Sequence, residues 1–126
     1  RNWITWYKNM LGWYYNYHIL LCENYINQPA TFWKRSLWEK IQGMQSTYQL
    51  AFDYELWLKM GKFSKAIPIH SYLANFRRDH HSLSDRYFQK QFQEELQIAS
   101  HYGTNIHKHI HTLLIKMRIA IYKRFF

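Results

Sequence analysis

Aromatic side chains restrict this chain more than any other feature. Six Trp, eleven Tyr and eight Phe are spread over 126 residues. Each ring carries a large apolar area that must be buried somewhere. Disordered segments are poor in such residues, so the chain is expected to fold. Its length permits one core and hardly a second. The four Gly and two Pro leave few natural breaks. Neither internal repeats nor low-complexity stretches are visible.

Hydrophobic spacing predicts an α+β chain, mainly helical with a few short strands. Trp3, Trp6, Tyr7, Met10, Leu11 and Tyr14 follow the three-and-four step of a helix, an aromatic stripe suited to another part of a protein or to a membrane interface. The pattern from Tyr14 to Trp33 reads as extended. Ser36 and Glu39 have the spacing of a capping box, with Gly43 placed to end the helix they would start. A second helix fits Leu50 to Met60, with Phe52, Leu56 and Met60 inward and Glu55–Lys59 as an outer ion pair. Two short strands are expected within residues 65–78, around Ile67-Pro68-Ile69 and Tyr72 to Phe76. Ser84 can cap a third helix through Phe88, Phe92, Leu96 and Ala99, stopped by Gly103. A last helix from Thr104 or Asn105 would place Ile106, Ile110, Leu113, Met117 and Ile121 on one face. We therefore divide the chain into residues 1–103 and a basic amphipathic helix over 104–126.

Charge is unevenly placed. The net charge is +9, and no Asp or Glu follows Glu95, whereas Lys108, Lys116, Arg118, Lys123 and Arg124 do. A basic end of this kind suits anionic lipid, nucleic acid or a phosphorylated substrate. The single Cys22, between Leu21 and Glu23, reads as a structural thiol. His107, His109 and His111 alternate, which suits a strand face rather than one helix face, and no Cys or acid supports them. We assign no metal ligand in this chain. Charges interrupt every apolar run well before the roughly 18 residues a spanning helix needs, and no signal-peptide core opens the sequence.

Four blocks between Asn27 and Ser84 carry a resemblance. The first is Gln28-Pro29-Ala30-Thr31-Phe32-Trp33-Lys34-Arg35. The second is Ile41-Gln42-Gly43-Met44-Gln45. The third is Ala51-Phe52-Asp53-Tyr54-Glu55-Leu56-Trp57-Leu58-Lys59-Met60. The fourth runs from Leu73-Ala74-Asn75-Phe76-Arg77-Arg78 through Asp79-His80-His81 to Ser84. In this order and with these gaps they resemble the acceptor-side half of inverting family 2 glycosyltransferases of the GT-A fold. The stretch that holds them, residues 27–84, spans nearly half of the chain. The pattern departs from the family at Gln42 and Gln45, where a Gly and an acid are usual, and at Asp79, where a His is usual and His80 follows.

The resemblance implies a set of roles. Asp53 would be the general base that takes the proton of the acceptor hydroxyl. Gln28, Thr31, Trp33 and Trp57 would line an acceptor groove, with sugar rings stacked on the indoles. Arg77 and His80 would face the diphosphate leaving group. The donor would be a nucleotide-sugar and the acceptor a glycan or a lipid-linked glycan. A divalent metal, Mn²⁺ or Mg²⁺, would be held mainly outside this segment. Asp53-Tyr54-Glu55 does not provide that metal site, because side chains two apart on a helix point about 200° apart. No Asp-x-Asp occurs, so we expect the acceptor-side portion of a longer enzyme that lacks its nucleotide-binding half here. That enzyme would be cytoplasmic and peripheral at the inner face of the membrane. The alternative is a non-catalytic basic aromatic module that binds nucleic acid or an anionic membrane surface. No nucleic-acid-binding motif supports the first of these partners, and none is expected.

Overall fold

The computed structural model describes residues 3–75 and 86–125. Within them lie α1 (Trp3–Gly12), α2 (Tyr17–Cys22), a 3-10 turn at Gln28–Ala30, α3 (Arg35–Lys40), α4 (Phe52–Gly61), α5 (Phe88–Tyr102) and α6 (Asn105–Phe125). The mainly helical expectation holds. The strands do not: among the described residues none is present, and residues 65–75 run as irregular chain. Pro68 has no N–H to offer a ladder, and no neighbouring strand accepts one. Ile67 and Ile69 are left exposed on this segment. The expected cap Ser84 lies outside the described residues; α5 begins after Tyr87 without a side-chain cap.

Asn16 starts a helix where extended chain was expected. Its Oδ1 accepts the backbone N–H of His18 at 2.8 Å and of Ile19 at 3.1 Å. Six residues are too few for a helix to persist alone. Burial of Leu20 and Leu21 holds it in place. The carbonyls at its end would otherwise be orphaned. The Tyr54 hydroxyl lies 2.8 Å from Leu20 O and 3.1 Å from Leu21 O. His111 Nδ1 approaches Leu21 O at 3.2 Å from the other side.

Helix α3 starts earlier than its sequence signal. Lys34 is the N-cap and makes no side-chain cap bond, so Ser36 lies inside the helix. Arg35 Nε takes Glu39 at 2.9 Å instead. At its other end Gly43 adopts φ 69°, as expected of a left-handed cap, but Gln42 also does, at φ 61°. The left-handed region costs a side chain with a Cβ about 1–2 kcal/mol, partly offset by the chain entropy that Gly loses. Gln42→Gly is therefore expected to stabilise the fold by up to about 1 kcal/mol, read as a higher urea midpoint.

The core gathers around α4. Tyr54, Leu56, Trp57, Leu58 and Met60 are buried there against Leu20 and Leu21 of α2 and Ile98 and Ala99 of α5. Glu55 and Lys59 pair at 3.8 Å, half-buried rather than on an outer face. Gly103 ends α5 as expected, its N–H bonding Ala99 O at 2.9 Å. Helix α6 packs along α5 and across α2, and its apolar stripe is turned outward. His111 and Ile115 are buried, whereas Ile106, Ile110, Leu113 and Met117 are exposed. The inward stripe carries a His and an Arg because their partners come from other elements.

Candidate functional site

A groove of about 1080 Å³ opens between the end of α1, the segment around the 3-10 turn, α4 and the irregular chain after it. Thr31, Trp33 and Trp57 line it. The Trp33 ring stacks on Trp38 at 5.8 Å and 17°, and meets Trp57 at 5.8 Å and 59°. Trp33 is 40% exposed and Trp57 only 3%, so the first can offer a face to a ligand and the second mainly forms the floor. The Thr31 hydroxyl donates to Asn27 O at 2.7 Å and so holds the turn. Gln28 is exposed and does not line the groove. Arg77 and His80 lie outside the described residues.

Glycine shapes the groove end of α4. A Cβ on Gly61 would sit 2.6 Å from the Tyr15 hydroxyl and from the Tyr17 ring. The missing side chain lets both tyrosines close on the helix, where Tyr17 donates to Leu58 O at 3.2 Å. Tyr15 Oη and Trp57 Nε1 are buried without a hydrogen-bond partner. Burial pushes the Tyr15 hydroxyl up to about 12, so it stays protonated and able to donate near neutrality.

Asp53 stands in the first turn of α4. One helical turn separates it from Trp57, and two turns from Gly61, so the three share a stripe. The Tyr54 N–H donates to Asp53 Oδ1 at 2.7 Å. The amides and dipole of a first helical turn favour an ionised carboxylate. Burial outweighs them and raises the Asp53 carboxyl above the ordinary aspartate value; the Tyr54 N–H and Lys8 offset only part of this. Asp53 does not cap the chain entering α4 either. Glu94 of α5 does that work, accepting the N–H of Gln49 at 3.4 Å, Leu50 at 2.8 Å and Ala51 at 3.0 Å. The sequence pattern had no sign of this, because the partners lie more than forty residues apart.

Behind α4 lies a buried polar cluster that sequence spacing also missed. Glu23, Glu95 and His111 are almost fully buried. Arg118 places Nη1 3.0 Å from Glu23 Oε1, close enough for an ion pair though not aligned as a hydrogen bond. Its Nη2 reaches Glu95 Oε2 at 3.4 Å, as does His111 Nε2. Burial alone would raise Glu95, but the His111 hydrogen bond and the Arg118 charge hold it below the ordinary glutamate value. Glu23 moves the other way, because burial exceeds what Arg118 and Lys8 return.

Other histidines have near partners of their own. His107 accepts the Thr104 N–H at 3.1 Å and stacks on His18. His109 contacts Asn105 O within its own helix. Burial raises the Cys22 thiol, which keeps it protonated and a weak nucleophile. Among the described residues no group of three or more His, Cys, Asp or Glu gathers to hold a metal, so no step here is routed through one. Comparisons with protein-family models, with curated proteins and with solved structures find no match.

Proposed function

We propose that this chain is the acceptor-side portion of an inverting family 2 glycosyltransferase of the GT-A type, whose nucleotide-binding half lies elsewhere in a longer protein. One juxtaposition supports it. Asp53 shares the α4 stripe with Trp57, and Trp57 meets Trp33 in the wall of a groove large enough for several sugar units. A half-buried carboxylate with a raised pKa is a stronger base than a solvated one, which suits proton removal near neutral pH.

In the proposed reaction the acceptor hydroxyl oxygen attacks the anomeric carbon of a nucleotide-sugar. The bond from that carbon to the diphosphate oxygen breaks, and the nucleoside diphosphate leaves with the electron pair. Asp53 receives the hydroxyl proton. Attack opposite the leaving group inverts the anomeric centre. Arg77 and His80 are proposed for the diphosphate, and Mn²⁺ or Mg²⁺ would be held by the absent half.

Trp33 gives the test that least disturbs the fold. Loss of one stacking face is worth about 1.4 kcal/mol, or about tenfold in binding. Trp33→Ala in the full-length enzyme is expected to raise the acceptor KM about tenfold, with kcat and the donor KM nearly unchanged. An unchanged acceptor KM would remove Trp33 from the acceptor site.

A membrane-surface role has its own support. The exposed stripe Ile106, Ile110, Leu113 and Met117 is flanked by Lys116 and ends at Arg124, a face suited to an anionic leaflet. No helix among the described residues is long and apolar enough to cross a membrane. The enzyme is therefore proposed to act at the inner face, held peripherally by α6.

A further inference from the structure

The groove has a charge pattern that a neutral sugar chain does not require. Lys8, Lys34, Lys40 and Lys65 line it, contributed by α1, the two ends of α3 and the chain after α4. No carboxylate lines it among the described residues. None of these lysines takes part in the ion pairs of the described residues. Lys40 Nζ instead lies 4.6 Å over the Phe63 ring, which holds it at the groove without neutralising it.

The aromatic wall adds a second observation. Trp33 lines the same groove and is 40% exposed, so an indole face is open beside the lysines. An aromatic face and ammonium groups together select a ligand with ring faces and anionic oxygens.

From these groups we infer that the groove binds an anionic glycan, a sugar chain whose residues carry carboxylate or phosphate substituents, as its acceptor. This depends on the groove being the acceptor site. The sugar rings would lie on Trp33, and the negative substituents would meet Lys34, Lys40 and Lys65. A bare phosphate would satisfy the lysines but leave the indole faces unused.

Tryptophan fluorescence titration of the chain tests this, since Trp13, Trp33 and Trp57 all line the groove. The probes are a galacturonic acid tetramer, the neutral galactose tetramer of the same linkage, and inorganic phosphate. The acidic tetramer is expected to bind at least about tenfold more tightly than the neutral one, with the difference shrinking as salt rises. A Lys34→Gln, Lys40→Gln, Lys65→Gln variant should lose that preference, and the matching Arg variant should keep it. Equal binding of both tetramers would overturn the anionic preference and leave the groove as an acceptor site. Phosphate binding as tightly as the acidic tetramer would overturn the sugar component. Binding of none of the three would overturn the preference and the groove assignment together.

Discussion

Arg118→Met is expected to destabilise the fold by about 3–5 kcal/mol at pH 7, the usual effect of stranding buried charges. Small domains are stable by about 5–15 kcal/mol, so the loss is a large share of the total. Methionine keeps the stem and can replace the guanidinium that sits 4.8 Å over the Phe92 ring with a sulfur contact. What it cannot replace is the charge between Glu23 and Glu95. The pH dependence follows from the two carboxyls. Glu95 is held low in the fold, so its stabilising contribution is present above the ordinary glutamate value and is lost as pH falls through its folded value. Glu23 is held high, so its ionisation destabilises the fold as pH rises through its folded value. Without Arg118 both acids become costly to ionise. The deficit of the variant should thus be largest at pH 7 and should narrow as pH falls below the ordinary glutamate value of 4.5. Urea melts at pH 7 and pH 4 check both signs, and a deficit independent of pH would contradict the charge explanation.

On the proposed assignment of Asp53 as general base, Asp53→Asn is expected to lower sugar transfer by about 10²–10⁴-fold. Its effect on stability should be opposite. The folded-state pKa of Asp53 is raised, so the fold binds this proton more tightly than the unfolded chain does. Stability from this group is complete below the unfolded value and is lost as pH rises through the folded one. At pH 7 the ionised side chain therefore costs stability that asparagine does not. Asparagine also retains an oxygen for the Tyr54 N–H. The variant should melt at or above the wild-type temperature at pH 7, and the gap should close below the ordinary aspartate value of 3.8. For the proposed base, a carboxylate that weakens its own fold fits the trade between stability and activity at functional sites.

Helices α4 and α5 were legible because their signals are local. Apolar spacing marks their bodies, and Gly103 marks a stop. Helix α2 was missed because six residues are too few to establish a period, although Asn16 before His18 and Ile19 was a readable cap. Which way the α6 stripe faces was not legible for a different reason. Periodicity counts apolar residues, but the inward face is chosen by what waits for it, here Glu95 for His111 and both acids for Arg118. Such pairings span sixteen to ninety-five residues of sequence and leave no local trace. The strand at Ile67-Pro68-Ile69 failed because β-branched composition does not supply a partner ladder.

The candidate site divides in the same way. Thr31, Trp33, Trp57 and Asp53 were named from short blocks, and the fold places the first three on one groove and Asp53 outside its lining, one turn before Trp57 on α4. Glu94 as the cap of the α4 entry, the close fit of Gly61 to Tyr15, and the lysines that ring the groove depend on tertiary contact.

Wild-type and Asp53→Asn full-length enzyme, compared at pH 7 for sugar transfer and for melting temperature, separate a catalytic role from a structural one. Transfer lowered by at least about a hundredfold, with an equal or higher melting temperature, is the expected pair of results. Undiminished transfer by the asparagine variant would contradict the assignment of Asp53 as the base.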